Sequence, residues 1–153
     1  EIFNENYAYF SSTSSSWLDH ASKYVDMIIN KLKLSKDKWF FKCHYPDYPV
    51  MPGTLVLEAM AQTMTLAVTS MDEFSDEWGG LLLLSGIDNV KFKKEAMPGL
   101  ELVMTAKIDS YTRGIVKGNI KSEVDGKTIC SCIMTIIIPN VIKQLSNQIM
   151  RKK

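Results

Sequence analysis

The sequence contains little of what marks several common classes of protein. Its three cysteines are an odd number, without the C-x-x-C spacing of a zinc site or the density of a disulfide framework. The longest apolar stretches are interrupted by charged or polar residues, among them Glu58 and Gln62, before they could span a bilayer, and no charged-then-apolar leader opens the chain. We therefore expect a protein of a reducing compartment, the cytoplasm, with no metal site and no membrane insertion.

An excess of charge of one sign is also missing. The 153 residues include 18 lysines and arginines against 17 aspartates and glutamates, so the overall balance does not indicate a nucleic-acid partner. The length suits one domain with a sizeable core, and no segment repeats. We expect a single domain over residues 1–153, in which 1–22 could form an N-terminal arm and 140–153 a C-terminal extension.

One helix is predicted in the first half of the chain. From Gly53 to about Met71 the sequence has no proline and no further glycine and is rich in leucine, alanine and methionine, which favours a helix of roughly five turns. Its apolar residues fall on nearly every side, so we expect it to be buried. Upstream, residues 38–43 (KWFFKC) have the aromatic content of a strand, whereas residues 23–34 (KYVDMIINKLKL) fit a helix or a strand.

Strands are predicted after the turn residues WGG at positions 78–80. Apolar runs follow in the order LLLLSG, NVKFKK, LELVMTAKIDSYT, IVKGNIKSEV and KTICSCIMTIII. Asp125-Gly126, between the last two runs, is typical of a tight hairpin because both residues tolerate positive φ. The tail from position 140 predicts a short helix with a solvated cationic end. One buried helix followed by these strands indicates an α+β domain whose antiparallel sheet wraps around the helix.

The segment HYPDYPVMPGTLVLEAMAQ, residues 44–62, places a histidine on a loop that contains three prolines. Pro46, Pro49 and Pro52 each fix φ and remove a backbone donor, so the loop is stiff. Stiffness is useful where a side chain must be held against a reacting centre. The stiff loop favours His44 as a general base. The alternative is structural, because a single histidine beside an aromatic segment more commonly makes a hydrogen bond at the edge of the core.

The helix that follows carries one glutamate in an apolar run. Glu58 has Gln62 on the same helix face and no cation within reach on that helix. Two interpretations stay open: the carboxylate is solvated, or it is held in a partly apolar pocket, where desolvation keeps it protonated and able to act as a general acid. Gly53 at the helix N-terminus offers a free amide to a developing oxyanion. Base, acid and oxyanion donor together suit proton abstraction beside a carbonyl and loss of a β-substituent.

The same segment resembles the active-site signature of FabZ-type β-hydroxyacyl-acyl carrier protein dehydratases, which are hotdog-fold enzymes of fatty acid synthesis. His-aromatic-Pro, Pro-x-Met-Pro-Gly and Glu-x-x-x-Gln have the spacing of that family, and LLLLSGIDNVKFKKEAMPG resembles its later segments. The resemblance covers roughly residues 24–138. Enzymes of the related FabA type carry aspartate at the position of Glu58, which favours the FabZ type.

The resemblance implies a role for each matching residue. His44 would remove the C2 proton of a 3-hydroxyacyl thioester, and Glu58 would protonate the departing 3-hydroxyl. The amide of Gly53 would polarise the thioester carbonyl, and the backbone carbonyl of Val50 would hold the His44 ring. It also implies a hotdog fold, no cofactor other than the phosphopantetheine of the substrate's acyl carrier protein, and a homodimer in which His and Glu come from different subunits, with three dimers commonly forming a hexamer.

A basic cluster follows the Gly-Ile-Asp segment. Lys91, Lys93 and Lys94 lie where a rim could meet phosphopantetheine or the acidic carrier protein. An ordinary solvated strand edge explains each of them equally well. Both interpretations stay open.

Two regions depart from the family pattern. Near the N-terminus only His20, which we interpret as structural, and the Val-Asp pair at 25–26 match the usual opening segment. Residues 83–85 are Leu-Leu-Ser where the family often has an aromatic gate, which leaves the preferred chain length open. These departures keep in consideration a non-catalytic partner subunit that binds acyl carrier protein or stabilises an active homologue. An acyl thioesterase is another alternative, since one fold hosts several chemistries, but the intact pair of His44 and Glu58 argues against it.

Overall fold

The computed structural model describes residues 27–71 and 80–151. The proposed N-terminal arm, His20 and the pair at 25–26 lie outside the described residues. The elements follow in the order β1 (Met27–Lys33), a 3₁₀ helix (Trp39–Lys42), α1 (Gly53–Thr69), β2 (Leu83–Phe92), β3 (Glu101–Thr112), β4 (Ile115–Val124), β5 (Lys127–Ile137) and α2 (Pro139–Arg151).

The strands form one antiparallel sheet in the order β1-β3-β4-β5-β2. Asp125 and Gly126 close the β4–β5 hairpin with φ of 48° and 72°, the conformation that their sequence predicted. α1 packs on one face of this sheet, as expected for an antiparallel sheet wrapped around one long helix. The α+β prediction is confirmed.

The core lies between α1 and the inner face of the sheet. Eight of the 17 residues of α1 are buried, and alternate side chains of β3, namely Leu102, Met104 and Ala106, are buried against it. Each large side chain buried in this way contributes about 1.5–3 kcal/mol relative to exposure. A polar link is added where Asn30 of β1 donates to the Thr63 hydroxyl of α1 at 3.2 Å. The helix is thus fixed in the groove of the sheet.

The prediction of a strand over residues 38–43 was wrong. Phe40 and Phe41 are neighbours in sequence and both are buried, whereas neighbouring side chains of a strand point to opposite faces. The chain instead forms a 3₁₀ turn, in which the N–H of Cys43 donates to the Phe40 carbonyl at 3.3 Å. The turn lets both rings enter the core.

β2 is a single strand that includes parts of two segments predicted as separate strands. LLLLSG and NVKFKK belong to one strand, and its register against β5 shifts between Leu84 and Gly86 and again between Asp88 and Lys91. β2 is an edge strand, and none of its ten residues is buried. Its exposed side chains include Leu83, Leu84, Val90 and Phe92. An uncovered apolar edge of this kind is suited to pair with another chain.

Gly118 of β4 lies where neither the adjacent strand β3 nor α1 leaves room for a side chain. A Cβ at this position would lie 2.4 Å from the Lys107 carbonyl oxygen and 2.9 Å from Cε of Met64. We expect Gly118→Ala to lower the free energy of unfolding by about 1–3 kcal/mol, because the backbone contact cannot be relieved by a rotamer change. Urea denaturation followed by circular dichroism measures the effect.

Gly86 of β2 provides the matched control. The nearest atoms to a Cβ there are 3.9 Å away, on Thr135. We expect Gly86→Ala to change stability by no more than about 0.5 kcal/mol. Equal unfolding midpoints for the two variants would contradict the assignment of Gly118 as a packing constraint.

Candidate active site

The candidate site is built from the proline loop and the start of α1. The loop is anchored at its first residue, because the His44 N–H donates to the Phe40 carbonyl at 2.9 Å. It is closed across its middle by the Val50 N–H, which donates to the His44 carbonyl at 2.9 Å. At its end the Met51 N–H donates to the Ala96 carbonyl at 2.9 Å, beyond β2. These bonds and the three prolines define one loop conformation.

The His44 ring is oriented by the loop itself. Its Nδ1 lies 3.0 Å from the Val50 carbonyl oxygen, which can only accept a hydrogen bond. The hydrogen of the neutral ring is therefore on Nδ1, and Nε2 keeps a lone pair. The ring is half-buried and lies against Tyr45 with a centroid separation of 4.4 Å. This arrangement leaves Nε2 able to accept a proton.

Glu58 lies in the second turn of α1 and is exposed in the single chain. Gln62 Nε2 donates to Glu58 Oε1 at 2.9 Å, the pairing that their four-residue spacing allows. Within residues 27–71 and 80–151 of one chain, no hydrogen bond joins Glu58 to His44. In the part of the chain that the structure describes, Glu58 thus matches the solvated interpretation.

Gly53 is the first residue of α1 and follows the N-cap residue Pro52. The first N–H groups of a helix have no intrahelical acceptor and lie at the positive end of its dipole. The Phe92 ring covers the Cα of Gly53 so closely that a Cβ there would lie 2.9 Å from two ring carbons. A side chain at position 53 would therefore require the Phe92 ring or the helix start to shift.

Phe92 is a site residue that the sequence did not single out. Its ring lies against the start of α1, yet it is 54% exposed at the end of β2. The Lys-Phe-Lys segment that contains Phe92 was part of the resemblance to the family, but nothing in the sequence assigned a role to Phe92 itself. Phe92 links the edge strand of the sheet to the helix end that carries Gly53.

The three lysines do not form one cluster. Lys93 and Lys94 follow β2 next to Phe92, and the N–H groups of both donate to the Ile129 carbonyl at 2.8 and 3.4 Å. Lys91 precedes Phe92, so its side chain points to the outer face of the sheet. There it lines an open cavity of about 640 Å³ together with Lys107, Asn119 and Lys121, among others. The rim interpretation stays a prediction for Lys93 and Lys94, which directly follow Phe92 in the sequence.

Other reactive groups lie apart from this site. Burial raises the pKa of Cys130, and burial followed by the charge of Cys130 raises the pKa of Cys132 to about 12, so neither thiol is a ready nucleophile. In the part of the chain that the structure describes, no group of three or more His, Cys, Asp and Glu side chains could hold a metal ion. No helix there is both long and apolar enough to cross a membrane.

A five-stranded antiparallel sheet around one long helix, with a histidine loop at the helix N-terminus, defines a hotdog domain. A chain of the dehydratase heterocomplex ApeI:P from Xenorhabdus doucetiae has this fold, with a TM-score of 0.57, 18% identity and coverage of 74% of this chain and 89% of that one. Thioesterase superfamily member 2 from Mus musculus has it too, with a TM-score of 0.58, 16% identity and coverage of 75% and 77%. At these identities the likeness concerns the fold.

The sequence relationship is narrower than the shared fold. Residues 19–133 match the FabA-like domain family. The 3-hydroxyacyl-[acyl-carrier-protein] dehydratase FabZ of Staphylococcus aureus strain JH9 is 39% identical over 109 residues, which are 71% of this chain and 73% of the relative. The chain belongs to the FabZ-type dehydratases.

Proposed function

We propose that this protein removes water from 3-hydroxyacyl thioesters on acyl carrier protein and forms trans-2-enoyl thioesters, in the synthesis of fatty acids or related acyl chains. The observation that carries the proposal is the contact between His44 Nδ1 and the Val50 carbonyl, because it leaves Nε2 as the proton acceptor. The phosphopantetheine of the carrier protein belongs to the substrate, and no further cofactor is part of the proposal. The cytoplasm is the proposed location, because an odd number of cysteines suits a reducing compartment.

The proposed reaction assigns one task to each group. His44 Nε2 takes the C2 proton, and the negative charge that develops on the thioester oxygen is stabilised by the amide of Gly53 and the helix dipole. Glu58 gives its proton to the 3-hydroxyl. The C2–H and C3–O bonds break, a C2–C3 double bond forms and water leaves, after which a proton passes from His44 back to Glu58.

A homodimer is part of the proposal, because one chain leaves the site incomplete. Glu58 has only Gln62 as a hydrogen-bond partner among the described residues, and the apolar edge of β2 is uncovered. Pairing of two chains along β2 would cover that edge, and we propose that each site then takes His44 from one subunit and Glu58 from the other. Assembly of three such dimers into a hexamer is compatible with this arrangement.

The decisive experiment uses 3-hydroxyacyl carrier proteins of several chain lengths, analysed by intact mass spectrometry. We expect the loss of one water from the acyl chain. Loss of the whole acyl group would identify a thioesterase, and an unchanged mass with retained carrier binding would identify a non-catalytic partner subunit. The lengths that react also define the chain-length preference that residues 83–85 leave open.

The close contact between Gly53 and Phe92 predicts that a side chain at position 53 lowers activity. We expect Gly53→Ala to lower kcat/KM for dehydration by about 10²-fold, because the new methyl group displaces the ring or the helix start that carries the oxyanion-binding amide. Adding Phe92→Ala removes the clash, so the double variant should be more active than Gly53→Ala alone. A double variant no more active than Gly53→Ala would show that the clash is not the cause.

Recognition of the carrier protein is predicted to depend on Lys93 and Lys94. We expect Lys93→Glu/Lys94→Glu to raise KM for carrier-bound substrate about tenfold, with KM for a pantetheine-linked analogue unchanged, because reversed rim charges slow the encounter with an acidic partner. Lys91→Glu is the matched control, because that side chain points to the outer face. Equal KM values for the two variants would contradict the assignment of Lys93 and Lys94 to a rim that contacts the carrier protein.

A further inference from the structure

α2 is little covered by the other residues that the structure describes. None of its 13 residues is buried. It is attached through its first turn, where the Ile138 N–H donates to the Gly114 carbonyl at 2.7 Å and Val141 packs against the same glycine. The match to the FabA-like family ends at residue 133, so membership of that family does not account for the helix.

α2 has an apolar stripe along one side. Val141, Ile142, Leu145 and Ile149 follow the spacing that brings side chains onto one helix face. The stripe is largely open to solvent, since Ile142 is 38% and Ile149 61% exposed, while Leu145 between them is half-buried. A helix that functioned only in solvent would have polar residues on that face, whereas a helix packed on its own domain would have the stripe buried.

The polar side of the same segment is cationic. Lys143 and Arg151 lie on α2, and the sequence continues with Lys152 and Lys153. No aspartate or glutamate follows Asp125 anywhere in the sequence. The charge of the whole chain is nearly balanced, but the segment after Asp125 carries only positive side chains. An uncovered apolar stripe beside positive charge is the pattern of a helix that lies in a membrane interface.

We propose that α2 attaches the protein reversibly to an anionic lipid surface, with its apolar stripe in the acyl boundary and its cations on the headgroups. The few apolar side chains on the stripe make this attachment weak, so both apolar and electrostatic contacts are needed. The inference is independent of the dehydratase proposal, because no residue of the candidate site takes part.

α2 begins at the end of β5 that is distant from Phe92 and the candidate site of the same chain. α2 follows the end of β5, where Ile137 pairs with Leu83, whereas Phe92 pairs with Cys130 near the other end of β5. The seven steps from Cys130 to Ile137 correspond to about 24 Å along the strand. The start of α2 is thus separated along β5 from the Phe92 side of the candidate site.

Flotation of the full chain with vesicles tests the proposal. One set contains equal parts of phosphatidylcholine and phosphatidylglycerol, and the other contains phosphatidylcholine alone. We expect binding to the anionic set to be at least about tenfold tighter, and to weaken as salt is raised from about 0.05 to about 0.5 M. Ile142→Gln/Ile149→Gln should weaken it at least about tenfold, and Lys143→Gln/Arg151→Gln should weaken it similarly.

Ile29→Gln is the matched control, because Ile29 is 54% exposed on β1 and lies far from α2 in the sheet order. This variant should bind anionic vesicles as the unmodified chain does. Equal binding to both vesicle sets, or full binding by Ile142→Gln/Ile149→Gln, would overturn the proposal. A smaller assembly of that variant in lipid-free sedimentation would assign the stripe to a second copy of the chain and would overturn it equally.

Discussion

His44→Ala is expected to lower the rate of dehydration by about 10²–10⁴-fold and to leave the fold intact. The rate falls because the proposed base is lost, while the thioester can still bind. The fold survives because the loop is held by backbone bonds from the His44 N–H to Phe40 and from Val50 to the His44 carbonyl. Neither bond uses the imidazole ring.

His44→Gln separates the two possible roles of the ring. A glutamine amide can donate to the Val50 carbonyl in place of Nδ1–H, but it cannot act as a base. We expect His44→Gln to be as inactive as His44→Ala, with an unchanged circular dichroism spectrum and thermal midpoint. Near-normal turnover by either folded variant would reject His44 as the base, and recovery in His44→Gln alone would assign the ring a positioning role.

Refolding His44→Ala together with Glu58→Gln is expected to restore activity that neither variant has alone. If each site takes His44 from one subunit and Glu58 from the other, a mixed dimer contains one doubly damaged site and one intact site. Random assembly makes half of the dimers mixed, so about a quarter of the wild-type activity per site should return. If both residues came from the same chain, every site would carry one defect.

The control mixes His44→Ala with His44→Gln. Every site in that mixture lacks the base, so recovered activity there would point to a source other than a reassembled site. Native mass spectrometry must show the mixed dimers in both preparations. Once mixed dimers are present, an inactive His44→Ala and Glu58→Gln mixture would exclude the shared site, even if the dehydratase function survived.

The elements predicted from the sequence are those that depend on local chemistry. α1 follows from a long segment of good helix formers between breakers, and the β4–β5 hairpin follows from Asp125-Gly126. The segment at 38–43 was misassigned because its aromatic content is shared by strands and by buried turns. Only the burial of both Phe40 and Phe41 distinguishes the two, and burial is decided by the whole fold.

The residues of the candidate site also divide into those that depend on local sequence and those that depend on the whole fold. The loop that orients His44 could be anticipated, because its prolines and the residue it contacts lie within one short segment. Phe92 could not, because its contact with Gly53 joins residues far apart in sequence. The surroundings of Glu58 are a further step away, since one chain leaves this carboxyl exposed. In the proposed homodimer, the second chain would supply these surroundings.

The strand order β1-β3-β4-β5-β2 also sets an order of folding. β3, β4 and β5 are joined by short hairpins, so their pairing closes small loops and costs little chain entropy. β1 and β2 must each reach across long stretches of sequence, from Lys33 to Glu101 and from Leu83 to Ile137. We expect the central meander to form first and the outer strands to join last. The edge that is available to a second chain would then be completed only after the interior has formed.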